Sequence, residues 1–143
     1  MQSSTESISV AAGIIWNEQQ DAVFLTFRKP EQHQGDRWEF PGGKCDGAET
    51  VFAALCRELR EEIGIQVMSA SPFERIAHTY PDKQVVLYFW DVWCFTGEPQ
   101  AREGQPMQWV AVSELQALDF PDANVPIVEK LLNRGFKPQF YPV

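Results

Sequence analysis

The stretch GKCDGAETVFAALCRELREEIGI, from Gly43 to Ile65, decides how this chain is interpreted. Its apolar residues recur at helical spacing and a glycine follows them, so the spacing predicts a helix over Thr50–Ile63 that ends at Gly64. At about 100° per residue, five of its side chains share one face, which we expect to pack on a sheet. These five are Phe52, Leu55, Cys56, Leu59 and Ile63.

Three carboxylates, Glu58, Glu61 and Glu62, lie within an arc of about 100° on a different face of the same helix. Like charges at these spacings destabilise an isolated helix by a few tenths of a kcal/mol each. A divalent cation with oxygen ligands, Mg²⁺ above all, would offset the repulsion. The turn at Gly42–Gly43 also lets backbone groups approach a ligand closely. The alternative interpretation is a solvated acidic surface.

The composition limits the class of protein. With 143 residues the chain fits one domain, 1–143, whose core we expect over about residues 8–134. A hydrophobic content of 44%, with five Trp and ten Phe, excludes a disordered protein. Twelve Lys and Arg against twenty Asp and Glu give a net charge of −8, which argues against binding to duplex nucleic acid. A polyphosphate substrate stays possible if a bound cation reverses the local field.

The cysteines and the N-terminus predict a soluble cytoplasmic protein. Cys45, Cys56 and Cys94 are odd in number and lack paired spacing, so we expect reduced thiols and no zinc site. Met1–Ser9 lacks the features of a secretion signal, and no apolar run approaches the ~20 residues of a membrane span.

The remaining pattern predicts an α+β fold, an α/β/α sandwich with a mixed sheet. Asn17–Asp21 is polar and predicts a hairpin turn between the first two strands. The tail Phe136–Val143 could pack on the domain or reach a partner. Strands are predicted at Ile8–Trp16, Ala22–Arg28, Trp38–Phe40, Phe73–Tyr80, Val85–Phe95 and Pro106–Val112, a helical turn at Ser113–Leu118 and a last helix at Val125–Asn133.

The stretch from Gly43 to Ile65 resembles the Nudix box, Gly-x5-Glu-x7-Arg-Glu-Leu-x-Glu-Glu-x-Gly-Ile, at every fixed position. The matching residues are Gly43, Glu49, Arg57, Glu58, Leu59, Glu61, Glu62, Gly64 and Ile65. The resemblance extends over Val10–Leu132. Within this range the chain is similar to the MutT branch of the family in segments such as Trp38–Lys44, Tyr80–Asp82 and Asp119–Asn124. It implies a Nudix fold, with a mixed β-sheet between helices.

The resemblance also implies an activity. MutT-type enzymes hydrolyse oxidised purine nucleoside triphosphates, above all 8-oxo-dGTP, to the monophosphate and pyrophosphate, by water attack on the β-phosphorus. That reaction cleanses the nucleotide pool and prevents mutation. The implied cofactor is Mg²⁺, with Mn²⁺ as the alternative, and the implied partner is a small nucleoside triphosphate bound by a monomer, with no nucleic acid polymer and no membrane.

The resemblance places the metal ligands on the three box glutamates, the Gly43 carbonyl and Glu103. Glu58 is the candidate general base, with Glu61 and Glu103 as competitors. Arg57 is expected to orient Glu58. Glu49 would brace the loop or support a metal through water, and Glu103 has an ordinary surface residue as its alternative.

For the base pocket, the resemblance implies that Asn124 binds the purine edge through its amide. The alternative role for Asn124 is a helix N-cap. Arg28 would lie near the nucleotide, and Phe40 and Tyr80 would form pocket walls, unless both are ordinary core. Lys83 departs from the Arg of the MutT pattern and lacks its planar fork, which leaves the selectivity for 8-oxoguanine open.

Three other functions remain as alternatives. The first is a Nudix hydrolase for CTP, a methylated pyrimidine triphosphate or a dinucleoside polyphosphate, because the box contacts only phosphates and metal. The second is a non-catalytic nucleotide-binding Nudix domain, which the retained glutamates oppose. The third is a domain acting on the DNA polymer, which the acidic net charge opposes.

Overall fold

A computed structural model describes residues 6–32 and 34–134 of the chain, so the tail Phe136–Val143 lies outside the described residues. Two short 3₁₀ segments, Val112–Ala117 and Asp122–Asn124, precede the second helix. In chain order, the strands and helices are β1 (Glu6–Ile15), β2 (Ala22–Phe27), β3 (Trp38–Glu39), β4 (Gly42–Lys44), α1 (Val51–Ile63), β5 (Gln66–Thr79), β6 (Lys83–Thr96), β7 (Met107–Ala111) and α2 (Val125–Arg134).

The central sheet is mixed, as predicted. Its strand order is β4-β1-β6-β5, and β1 runs parallel to β6 with Ile8 opposite Val85 and Ile15 opposite Val92. The two outer pairs are antiparallel. A second, antiparallel sheet in the order β3-β2-β7 was not anticipated as a separate unit.

The two helices cover opposite faces of the mixed sheet. Ala11 and Ile15 of β1 pack with α1, while Ala12 and Ile14, which alternate with them, belong to the cluster that contains α2. This alternation confirms the α/β/α sandwich. The helices contribute Leu55, Leu59 and Ile63 from α1 and Ile127, Val128 and Leu131 from α2.

The predicted hairpin is wrong in one respect, because β1 and β2 do not pair along their length. The turn itself forms, because the Asn17 side-chain oxygen accepts hydrogen bonds from the Asp21 and Ala22 N–H groups. The strands then diverge into different sheets and share one bridge, between Trp16 and Val23. A turn fixes the chain reversal, whereas β2 takes its partners, β3 and β7, from later in the chain.

Two strands differ from their predicted positions. Gly42–Lys44, which includes the predicted turn at Gly42–Gly43, is a strand whose Gly43 pairs with Ala11. β5 begins at Gln66, well before the predicted Phe73. It is an edge strand with irregular register around Ser69 and Pro72, where proline and bulges are tolerated.

The buried face of α1 is rotated relative to the prediction. Phe52 is 44% exposed and lies against the Trp90 ring, whereas Ala54 is fully buried. The prediction of a core face through Phe52 and Cys56 is therefore wrong at these two positions, since Cys56 is only half-buried. The rotation places Glu58 and Glu62 beside the core face, half-buried, instead of on a separate face.

The three cysteines, Cys45, Cys56 and Cys94, carry free thiols. Within the described ranges, neither helix has the length and apolar character needed to cross a membrane.

Candidate functional site

A cleft of about 510 Å³ opens at one end of the mixed sheet. Its floor is apolar, because Ile8 and Val10 continue the face of β1 that carries Ala12. Val85 and Leu87 of the neighbouring strand β6 complete this floor. The cleft is thus an uncovered continuation of the sheet face on which α2 packs.

The cleft brings the predicted site residues together. Glu58, Glu61, Glu62, Glu103 and Gly43 line one part of it, which we name the acidic end. The part that carries Tyr80, Lys83, Ala123 and Asn124 we name the opposite end. Arg28 and Phe40 line the same cleft, and Arg57 contacts the acidic end from outside it.

Arg57 organises the acidic end. Its Nε and Nη2 donate to the two oxygens of Glu49 at 2.8 and 2.9 Å, and its Nη1 donates to Glu58 Oε1 at 2.8 Å. The same guanidinium donates to the Lys44 carbonyl, while Glu61 Oε2 lies 3.4 Å away. The two bonds from Arg57 to Glu49, with one from the Asp46 N–H, lower the pKa of Glu49 to about 2. Because it bonds to Glu49, Glu58 and the Lys44 carbonyl at once, the guanidinium holds the loop before α1 and the Glu58 side chain in fixed positions.

Two glycines are required where the acidic end meets β4. A Cβ at Gly43 would lie 2.3 Å from Glu58 Oε2, so this carboxylate packs directly on the glycine backbone. A Cβ at Gly42 would lie 2.0 Å from the Ala11 carbonyl oxygen, and the Gly42 N–H donates to Glu62 Oε2 at 3.0 Å. Any side chain at either position would displace a glutamate or the neighbouring strand.

Glu62 is the strongly perturbed carboxyl of the acidic end. Burial, the nearby Glu39 carboxylate and then Glu103 and Glu58 raise its pKa to about 8, against the hydrogen bond from Gly42. The Thr26 hydroxyl donates a long hydrogen bond of 3.4 Å to Glu62 Oε1. The ionised form of Glu62 therefore lacks a sufficient positive partner in this arrangement.

The loop after β6 is tied to the end of α1. The Gln100 N–H donates to the Ile63 carbonyl and the Arg102 N–H to the Glu62 carbonyl, at 3.0 and 2.9 Å. The Pro106 carbonyl accepts from the Phe27 N–H at 2.9 Å. These bonds bring Glu103 to the acidic end, although it is distant in sequence from the box.

Glu39 lines the cleft and was missed from the sequence. It pairs with Arg28 at 3.0 Å, and burial raises its pKa even though Arg28 opposes the shift. The available signal was a single charged residue between Trp38 and Phe40 in a predicted strand, next to the Gly-Gly turn. Arg28 therefore lies between the acidic carboxylates and Tyr80, and its charge opposes the rise in the pKa of Tyr80.

The opposite end combines aromatic and amide groups. Phe40 is 3% exposed and stacks on Phe120 at 5.7 Å, so it serves the core as well as the cleft wall. Asn124 is 6% exposed and lies inside a helical segment that continues into α2, which does not match the extended backbone of an N-cap. Burial and the Asp122 charge raise the pKa of Tyr80.

Two further cleft residues, Gln34 and Gln105, were not among the predicted site residues. Gln34 donates to Asp122 Oδ2 at 2.7 Å and accepts from the Asp122 N–H at 2.8 Å, across 88 positions of the chain. Gln105 lines the cleft with its Oε1 buried and without a hydrogen-bond partner.

The donor chemistry of the acidic end fits a hard divalent cation, because carboxylate and carbonyl oxygens predominate. Burial and the neighbouring carboxylates raise the pKa of Glu62, and a bound cation would oppose that shift. Across residues 6–32 and 34–134, no three Asp, Glu, His or Cys side chains converge as a preassembled metal site. Glu58 faces Arg57 and Glu62 faces the Gly42 N–H instead.

The profile of the NUDIX domain family matches residues 11–130. An 8-oxo-dGTP diphosphatase of Escherichia coli K12 is 42% identical over 126 residues, 88% of this chain and 97% of the relative. The protein of the same name from Haemophilus influenzae is 46% identical over 126 residues, 88% and 92% of the two chains. A solved MutT structure, from work on Aliivibrio salmonicida and Vibrio cholerae, has a TM-score of 0.81 and 37% identity, covering 90% of this chain and 99% of that one.

Proposed function

This chain belongs to the Nudix family, and from that premise we propose that it hydrolyses 8-oxo-dGTP to the monophosphate and pyrophosphate. The observation that carries the proposal is the single cleft in which the box glutamates and the predicted base-pocket residues meet. The two relatives named 8-oxo-dGTP diphosphatase, which match over most of both chains, support this substrate.

Nudix hydrolases generally use divalent metal ions, and we propose Mg²⁺ here, with Mn²⁺ as a substitute. Its ligands would be the carboxylates of Glu58, Glu61, Glu62 and Glu103 and the Gly43 carbonyl. When bound, the ion neutralises phosphate charge and lowers the pKa of water. The chain's own contribution is to hold oxygen donors around Gly43, where the glycine leaves room for the Glu58 carboxylate.

Glu58 is our proposed general base. Arg57 holds one of its oxygens, and the other faces the Gly43 backbone. A water molecule attacks the β-phosphorus, its proton passes to Glu58, and the bond from that phosphorus to the oxygen of the nucleoside monophosphate breaks. The monophosphate leaves with the bridging oxygen, and the attacked phosphorus leaves in pyrophosphate. Glu61 and Glu103 are the competing candidates for the base.

The opposite end supplies the base contacts in this proposal. Asn124 offers an acceptor and two donors to the O6 and ring N–H edge of an oxidised guanine. Tyr80 and the edge of Phe40 would pack on the purine, above the apolar floor. Arg28 and Lys83 add positive charge along the cleft, where a nucleotide places its phosphates and sugar.

The test is kcat/KM for 8-oxo-dGTP, dGTP and CTP with Mg²⁺, scoring pyrophosphate against orthophosphate. We expect 8-oxo-dGTP to exceed dGTP by a hundredfold or more, about 2.7 kcal/mol in transition-state binding. Comparable kcat/KM values for the three nucleotides, or a higher value for CTP, would agree with Nudix chemistry but would reject 8-oxo-dGTP as the substrate. Binding without turnover would favour a non-catalytic domain.

The cellular context follows as a further proposal: a monomer that acts on pool nucleotides in the cytoplasm and prevents mutation during DNA replication. The net charge of −8 supports a free nucleotide over a DNA polymer. Expression in a bacterial strain that lacks its own 8-oxo-dGTP diphosphatase should lower the mutation frequency, and light scattering should give the mass of one chain. An unchanged frequency with the active protein present would reject this role.

A further inference from the structure

Gln105 lines the cleft, and its side-chain oxygen is an unsatisfied hydrogen-bond acceptor. Its Oε1 is inaccessible to solvent and has no hydrogen-bond partner, and no other buried side-chain polar atom of the described residues is in that condition. A buried acceptor without a hydrogen-bond partner loses the solvation that it has in the unfolded chain. Such an atom in a ligand cleft is explained when a bound molecule supplies the donor.

Backbone hydrogen bonds tie the residues that flank Gln105 to the acidic end and to β2. Three residues earlier, Arg102 is bonded to the Glu62 carbonyl at the acidic end. One residue later, Pro106 is bonded to Phe27, directly before Arg28. Gln105 therefore lies beside the end of β2. In this part of β2, Thr26 contacts Glu62 of the acidic end, and the chain continues from there to Arg28.

The intermediate position identifies the part of the ligand. If the phosphates occupy the acidic end and the base occupies the opposite end, the sugar lies between them. The hydrogen-bond donor that a 2′-deoxynucleotide sugar carries is its 3′-hydroxyl. We propose that Gln105 binds the sugar of the substrate by accepting a hydrogen bond from the 3′-hydroxyl. This inference rests on the proposed function, because it uses that orientation of the nucleotide.

The test pairs a variant with a substrate that lacks the same contact. Gln105→Met keeps the length of the side chain and removes the acceptor. With dGTP, KM should rise about fivefold, as expected for one neutral hydrogen bond, while kcat stays within twofold. With 2′,3′-dideoxyGTP the same variant should leave KM unchanged, because the wild type makes no such bond to this substrate.

Two matched variants control for indirect effects. Gln105→Glu keeps an acceptor and should retain the difference in KM between dGTP and dideoxyGTP. Gln108→Met makes the same chemical change at an exposed position of β7 and should alter neither substrate. If Gln105→Met impairs both substrates equally, or lowers kcat for both, Gln105 acts at the phosphates or the metal and the sugar proposal is wrong.

Binding measurements separate this inference from the proposed function. If the wild type releases no pyrophosphate from any triphosphate, the proposed activity fails. Calorimetric titration with dGMP and 2′,3′-dideoxyGMP then decides the role of Gln105 without turnover. A wild-type preference for dGMP that disappears in Gln105→Met supports the sugar contact, and equal affinities of the wild type for both nucleotides overturn it.

Discussion

The two ends of the cleft are built in different ways. Most of the acidic end comes from one continuous stretch, Gly43 to Glu62, and its side chains are joined by hydrogen bonds within that stretch. The opposite end is assembled from distant segments, since Tyr80 and Lys83 flank the turn between β5 and β6 whereas Ala123 and Asn124 directly precede α2. The comparison teaches that the proposed phosphate chemistry is encoded locally, whereas the proposed base selectivity depends on how distant loops meet.

The largest expected effect is at the acidic end, from Glu58→Gln. The fold should be retained, because the amide oxygen can still accept from Arg57. kcat should fall by about a thousandfold or more, since both a proposed ligand and the proposed base are lost. Steady-state pyrophosphate release, with a melting curve for the fold, checks this. A kcat within about tenfold of the wild type would remove Glu58 from its catalytic role.

The second prediction concerns the platform beneath the acidic end. Leu59 is fully buried, and its Cδ1 lies close to Gly13 of β1. Leu59→Ala should lower the free energy of unfolding by about 2–5 kcal/mol in urea titrations. Phe52→Ala is the matched control on the same helix, and its partial exposure predicts a loss of roughly 1 kcal/mol. Equal losses would contradict the observed rotation of α1.

The third prediction uses the charge deficit around Glu62. Its folded-state pKa, about 8, exceeds the ordinary 4.5, so its contribution to stability is full below about 4.5 and is lost as the pH rises through 8. In metal-free buffer, the wild type should lose on the order of 2 kcal/mol more stability than Glu62→Gln between pH 5 and 9. Glu61→Gln, at an exposed carboxylate, should behave as the wild type does. Parallel curves for the wild type and Glu62→Gln would show that Glu62 is not perturbed.

The same contrast explains what the sequence could predict. The bounds of α1 and its C-cap at Gly64 follow from local periodicity and glycine chemistry, and the structure confirms them to within one residue at the N-terminus. The box glutamates were found for the same reason. The half-buried position of Glu58 and Glu62 beside the core was missed, because the orientation of a helix depends on the sheet beneath it.

Features that depend on long-range pairing could not be predicted. The separation of β1 and β2 into two sheets, the strand at Gly42–Lys44 and the early start of β5 each depend on a partner strand from elsewhere in the chain. Glu39 and Gln105 belong to the same class. Their positions in the cleft can be recognised only once β2, β3 and the loop after β6 are placed around it.

The smallest effect, and the one that sharpens the comparison most, is expected at Asn124. Asn124→Ala should raise KM for 8-oxo-dGTP about tenfold and affect dGTP less, with kcat within threefold, because the phosphate chemistry lies at the other end of the cleft. Asn133→Ala, at an exposed position of α2, controls for a general effect on the helix. Since Asn124 lies within a continuous helical segment, losing its amide should not unravel the start of α2. If KM rises equally for both nucleotides and the melting temperature falls, Asn124 stabilises the helix and the selectivity resides in other residues of the opposite end.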